Sequence, residues 1–263
     1  MDLVRRFAEI LRRPESQIPL DEAALVIAAR AQPELSIETE LARLDALAAD
    51  VRDGTLTGLL RLLFRDLGYR GNQNDYYDPR NSFLNEVVDR RTGIPITLAV
   101  LMIEVGRRAG VPLRGVGMPG HFLVRDMVDP DLFIDPFAGG RTMPAAECRK
   151  LFHQLHGAQM HFSEAFLAPI ARDQIVRRML MNLRTIYVQR SDTASLTWVL
   201  EFGAQFPDAG ADTFRELATV LSAQGAFDRA ADMFEKAAEL AEATGQDSAG
   251  DEANAAILRA RLN

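Results

Sequence analysis

The chain has 263 residues, 48% of them apolar and 25% charged, a globular composition long enough for one large domain or two ordinary ones. Its formal net charge of −7 argues against a nucleic-acid partner, because counterion release needs clustered basic charge. The lone cysteine, Cys148, excludes an intramolecular disulfide and any cysteine-based zinc cluster. No apolar run approaches the ~20 residues that a bilayer span requires, and the charged start MDLVRRFAEILRRPE does not read as a signal peptide. A cytoplasmic protein without a membrane partner is therefore expected.

In chain order, Leu3, Val4, Phe7, Ile10 and Leu11 mark one face of a first helix that Pro14 ends. A second helix is expected from about Asp21 to Arg30, ahead of Pro33. Ser36 is placed to cap a third, whose stripe is Leu41, Leu44, Leu47, Ala48 and Val51. A further apolar segment, Leu59 to Leu67, stops at Gly68. The stretch from Gly71 opens as a polar, aromatic loop, and Asn81 is placed to cap a helix facing inward through Phe83, Leu84, Val87 and Val88. Gly93 fits a left-handed residue closing that helix, and Pro95 fits the first turn of the next, where a missing N–H costs nothing. From Ile96 to about Arg108 that next helix has Glu104 as the one acidic residue of its first ten positions, so it reads as a buried central helix.

Three short strands are expected next, Leu113 to Met118, Phe122 to Asp126 and Leu132 to Ile134, punctuated by Gly120, Pro130 and Gly139–Gly140. GVGMPG, Gly115 to Gly120, is superficially like a dinucleotide loop, but it leads into a strand rather than a helix, and that reading fails. Ala145 to His156 is helical again and closes at Gly157.

Helices dominate the rest, which carries an internal repeat of 34 residues. Leu180 pairs with Phe214, Leu183 with Leu217, Tyr187 with Leu221, Leu196 with Ala230, Leu200 with Phe234 and Gly203 with Ala237. That is the tetratricopeptide period, with Gly225, Ala230, Phe234 and Ala237 at the expected small and large positions of the second copy. The first copy is degenerate, with Leu196 where a small residue is usual. An ordinary pair of helical hairpins is the plainer reading. Ala253 to Leu262 reads as a closing helix.

GNQNDYYDPRNSFLNEVVDRRTGIPITLAV (Gly71–Val100), GVGMPGHFLV (Gly115–Val124) and DPFAGG (Asp135–Gly140) resemble the SirB-type branch of the transglutaminase-like superfamily. That branch takes its name from a bacterial invasion-regulator family and often carries tetratricopeptide repeats behind its core. The resemblance runs from about Ser36 to Ala237. It implies a cysteine at the start of a buried helix, a histidine beginning a strand and an aspartate on the next strand. In that chemistry the imidazole generates the thiolate, the carboxylate holds the imidazole's tautomer, and the helix N-terminus lowers the thiol pKa. Carried onto this chain, the histidine is His121, the aspartate Asp135, and the cysteine position falls on Pro95. Proline offers no nucleophile.

Substitutes are poor. Thr97, two positions on, points well away at ~100° per residue; Ser82 has no assigned base; Cys148 has no matching position. His121 then reads either as the retained member of a dyad with Asp135, able to act as a general base toward water, or as a structural or ligand-binding histidine. Asp135–Pro136–Phe137 has a plain reading too, a strand end before proline with the phenyl ring in the core. Asn72, Asn74, Tyr76, Tyr77, Asp78 and Asn81 either cap helices or, with Phe122 beside the histidine, line a cleft, and the resemblance favours the cleft. His153, His156 and His161 lack a suitably spaced carboxylate, so no metal is expected, and no cofactor.

The expected fold is α+β: a transglutaminase-like core, a buried helix against a small antiparallel sheet, with N-terminal helices and a helical tetratricopeptide-like tail. Residues 1–170 would form the helical extension and core, 171–263 the tail. The expected function is non-catalytic binding or scaffolding, in a regulatory role, toward a protein or peptide partner through the cleft and the tail. The alternative is a peptide or amide hydrolase using His121 and Asp135 with water or an unidentified nucleophile.

Overall fold

A computed structural model describes residues 2–261 and is an α-rich α+β protein. In chain order its elements are α1 (Leu3–Leu11), α2 (Leu20–Ala31), α3 (Ile37–Ala49), α4 (Leu56–Leu60), β1 (Arg70–Gly71), α5 (Leu84–Arg90), β2 (Thr92–Gly93), α6 (Pro95–Arg108), β3 (Leu113–Val116), β4 (Leu123–Asp126), β5 (Phe133–Asp135), β6 (Arg141–Met143), α7 (Ala145–His156), α8 (Arg172–Gln189), α9 (Thr193–Gly203), α10 (Ala211–Ala223), α11 (Phe227–Ala243) and α12 (Ala249–Ala260). Leu262, the last residue of the expected closing helix, lies outside the described residues. None of the described helices is long and apolar enough to cross a membrane.

The chain divides into two compact units, one taking the segment up to Arg13 with the chain from Leu180 onward, the other Pro14–Met179. The division falls within α8, nine residues beyond the expected 170/171 boundary, and α1 groups with the tail. Aromatic packing explains that grouping: the Phe7 ring stacks on Phe202 at 4.6 Å with an interplanar angle of 11°, and both rings are fully buried.

In the Pro14–Met179 unit, α6 is the central element, with every residue from Pro95 to Gly106 buried. It packs against α2, α3, α4, α5 and strands β3 and β4. Ser36 caps α3 by accepting from the Thr39 amide. The apolar run after α4 continues as a π-helix over Arg61–Asp66, burying Leu59 and Leu63, and Gly68 ends it at φ +73°. Strands β3 to β6 form an antiparallel sheet in sequential order. An apolar cluster of Val116, Met118, Leu123, Phe133, Met143, Cys148, Phe152 and Leu167 ties this sheet to α7.

Two local expectations are corrected. The left-handed residue closing α5 is Arg91, φ 54°, not Gly93. Gly93 instead lies in β2, paired with Gly71 in a two-residue parallel ladder, where a Cβ would come within 2.8 Å of Val87. Asn81 does not cap α5, whose Ncap is Phe83 and carries no side-chain bond. A 3₁₀ turn over Pro79–Ser82 intervenes, and Asn81 braces the preceding loop instead. Strand β6, three residues long, has no counterpart in the expected elements.

In the other unit, the 34-residue offset carries α8 onto α10 and α9 onto α11. Leu180, Leu183, Tyr187, Leu196, Leu200, Leu217, Leu221, Ala230, Phe234 and Ala237 are all buried. Ala230 and Ala237 are fully enclosed, and Gly225 turns the chain at φ +78°. Arg215 of α10 grips the Asp251 carboxylate of α12 with Nε at 2.9 Å and Nη2 at 2.8 Å.

Candidate active site and adjoining cleft

His121 stands two residues before β4, and Asp135 is the last residue of β5. Antiparallel pairing of those strands brings the side chains together: His121 Nε2 lies 2.9 Å from Asp135 Oδ2. The other carboxylate oxygen accepts from the Phe137 amide at 2.9 Å and the Ala138 amide at 3.1 Å. An ionised carboxylate can only accept, so a neutral imidazole in this contact carries its proton on Nε2 and its lone pair on Nδ1.

The loop carrying His121 is pinned from two sides. Arg178 of α8 donates from Nη2 to the His121 carbonyl at 3.3 Å, and its guanidinium carbon sits 5.3 Å from the centre of the Phe122 ring. Gly117 makes room for this arginine, since a Cβ there would lie 2.4 Å from Nη1. No carboxylate neighbours Arg178 among the described residues, and burial lowers its pKa against the pull of Tyr76. On the other side, His156 Nε2 donates to the Pro119 carbonyl at 2.9 Å. Neither clamp has a local sequence signal, because each reaches the loop from a distant helix.

Pro95 is the first residue of α6 and is buried. The resemblance assigns the nucleophile's position to this residue, which heads the buried helix. Ser82, Thr97 and Cys148 do not replace it. Ser82 Oγ and Thr97 Oγ1 are buried with no hydrogen-bond partner, so no base activates either. Cys148 is fully buried in the cluster under the sheet, and burial pushes its thiol up to about 12.

That displaced thiol carries a testable sign. The folded protein holds the Cys148 proton after the unfolded chain has lost its own, so stability falls as pH rises above the unfolded value near ~8.5. In urea unfolding between pH 8 and 10.5, wild type is expected to lose stability more steeply than Cys148→Ala, by up to about 1.4 kcal/mol per pH unit. Parallel pH profiles for the two proteins would show that the thiol does not titrate abnormally.

The polar loop divides into two groups. Asn72 and Asn74 line a cleft of ≈ 770 Å³ together with Arg70, Arg90, Thr92 and Phe137. Tyr76 and Tyr77 are exposed, their rings 5.3 Å apart, and Tyr76 lies 6.0 Å from the Phe137 ring. Phe137 in turn meets the His121 ring edge-on at 6.2 Å, so one phenyl ring joins the cleft to the dyad. Gly71 permits this placement, because a Cβ there would lie 2.3 Å from the Phe137 ring. The remaining loop residues and Phe122 turn inward. Asn81 is fully buried, donating to the Asp75 carbonyl at 2.7 Å and accepting from Asn72 Nδ2 at 3.1 Å. Asp78, buried against the Arg80 and Arg90 guanidiniums, is held below the usual carboxylate range by Arg80's hydrogen bonds and charge, which together outweigh its desolvation. Phe122 is core. Sequence reasoning missed Arg70, Arg90, Thr92 and Phe137 as cleft residues. Among the described residues no three His, Cys, Asp or Glu side chains gather to hold a metal ion.

A buried helix against an antiparallel sheet, with a histidine–aspartate contact across neighbouring strands, is the class of site seen in the transglutaminase-like proteins. The chain belongs to the transglutaminase-like superfamily, whose model matches residues 20–181. It is 41% identical over 186 residues to a UPF0162 protein from Xylella fastidiosa, covering 66% of each chain. A UPF0162 protein from Pseudomonas aeruginosa is 33% identical over 177 residues, 64% of each chain. Human F-box only protein 21 is 31% identical over 147 residues, 52% of this chain and 22% of that protein. The chain thus spans just under two thirds of the Xylella and Pseudomonas relatives. No solved structure matches it.

Proposed function

We propose that this protein is a non-catalytic, SirB-type member of the superfamily, cytoplasmic, that binds a peptide segment of a partner at the face joining the dyad to the Asn72–Asn74 cleft. The observation that carries the reading is Pro95: a side chain without a nucleophile stands at the head of the buried helix, and the buried Ser82 and Thr97 hydroxyls have no hydrogen-bond partner to act as base. Retention of a well-bonded His121 and Asp135 fits a pair kept for holding the site's shape and for accepting a hydrogen bond at Nδ1. The tail, read as a short tetratricopeptide-like array, would offer a second peptide surface.

A second reading, amide hydrolysis with water as nucleophile, is favoured by the free Nδ1 lone pair alone. The two separate in one assay. The full chain is incubated with a glutaminyl-glycine peptide while ammonia and free amine are followed, and with thiol- and serine-directed probes. Neither turnover nor labelling is expected. Release of ammonia or amine that disappears in His121→Ala would establish the hydrolase and sink the binding-only reading.

A further inference from the structure

The lining of the cleft beside the dyad differs in charge from the rest of the chain. The protein has 37 acidic and 30 basic residues apart from histidine, yet the residues around this cleft include Arg70 and Arg90 and no carboxylate. Arg70 is exposed, and Arg90 is largely buried, with its side chain 25% accessible. Nη2 of Arg90 lies 3.4 Å from Asp78 Oδ2, while Nη1 is buried without a hydrogen-bond partner. A buried guanidinium nitrogen with an unmade bond costs free energy. Asn74 adds a neutral donor and acceptor, Phe137 supplies an apolar wall, and the Asn72 carboxamide is braced by Asn81 and the Asp75 amide. The backbone holding these groups is fixed: Arg70 and Thr92 are partners in the β1–β2 ladder, so the two sides of the cleft are hydrogen-bonded to one another.

We propose that this cleft is an acidic-peptide subsite, in which a glutamate or aspartate carboxylate of the bound segment is held by Arg90 and Arg70. The inference rests on the peptide-binding reading above and specifies its ligand. Guanidinium groups pair with carboxylates through charge-assisted bonds in a matching planar geometry. The carboxamide of Asn74 can both donate to and accept from a peptide backbone. Phe137 places the dyad at one end of this track.

The test uses the full chain and fluorescence anisotropy with a fluorescein-labelled (Gly-Glu)₄ peptide, its (Gly-Gln)₄ counterpart, and pyrophosphate as competitor. The glutamate peptide is expected to bind at least tenfold more tightly than the glutamine peptide, and more weakly as salt rises. Arg70→Gln and Arg90→Gln are each expected to weaken it by about tenfold. Arg70 is exposed, so its variant tests the site even if loss of Arg90 disturbs the Asp78 turn. Equal binding of the two peptides would overturn the anionic subsite while leaving the peptide-binding reading intact. Failure of both peptides, with or without pyrophosphate binding, would overturn both. Ammonia release from the glutaminyl-glycine peptide bears only on catalysis, so it does not touch this proposal.

Discussion

Replacing Pro95 by cysteine in a Cys148→Ala background is expected to create a thiol that iodoacetamide alkylates at neutral pH at least a hundredfold faster than it alkylates Cys148 in the wild type. The size of the effect follows from thiolate fractions. A thiol pushed up to about 12 is ionised to roughly one part in 10⁵ at pH 7, whereas one with a pKa near ~7 is half ionised. The more basic thiolate is the better nucleophile, and that returns about two decades of the difference. Position 95 heads a fourteen-residue buried helix, where the first amides and the dipole favour an anion. On the reading proposed above, it would also face the His121 imidazole, whose Nε2 is engaged by Asp135. Adding His121→Ala should therefore remove much of the advantage. The cost of losing proline is about 1 kcal/mol through the freer unfolded chain, small enough for the variant to fold. A cysteine at 95 no more reactive than Cys148 would break the correspondence between Pro95 and the nucleophile position, and with it the main support for a non-catalytic site.

How far the sequence reached depended on the range of the interaction that decides each feature. The buried helix was legible because eleven of its first twelve residues carry no charge, and Pro95 marks its start chemically. His121 and Asp135 were legible through motifs, which the antiparallel register of β4 and β5 then brings within bonding distance. Gly93 was misread because its reason is a ladder of two residue pairs with Arg70 and Gly71, too short for any periodic signal. Asn81 was misread because capping is a rule about neighbours in sequence, while its amide is consumed by carbonyls five and six residues upstream. Arg178 reaches the dyad loop from a helix 57 residues away, and no local pattern announces such a contact. The same holds for α1, whose place with the tail is settled by Phe7 against Phe202. Loop residues also divide in a way composition does not reveal: Asn74 faces the cleft, whereas Asn72, Asp78 and Asn81 spend their side-chain bonds inside the loop itself.

Removing the Glu104 carboxylate, by Glu104→Ala, is expected to cost about 3–5 kcal/mol, a large part of the stability of an ordinary domain. Glu104 is the acidic residue that stood out in the central helix, and its side chain is completely enclosed. Arg107 Nε donates to its Oε2 at 2.7 Å, and Arg108 Nη1 approaches the same oxygen at 3.5 Å. Arg172 pairs with the other oxygen, and that arginine also bonds the Ile18 carbonyl at 2.5 Å and, through its amide, Glu15 at 2.8 Å. One carboxylate thus links α6 to α8 and to the segment before α2. Arg108 keeps Asp21 and Asp45, each at 2.6 Å, when Glu104 is lost. Arg172 keeps no carboxylate on its guanidinium, and its side chain is only 13% exposed, so an uncompensated cation is left in low dielectric. If that stranded charge is the source of the cost, the double variant Glu104→Met with Arg172→Met should recover much of it, because apolar packing often replaces a buried pair without loss. Urea unfolding of the two single variants and the double variant measures the coupling directly. A Glu104→Ala loss below about 1 kcal/mol would mean that the pair lies in water-like surroundings, and that the helix carrying Pro95 is held in place by its apolar contacts alone.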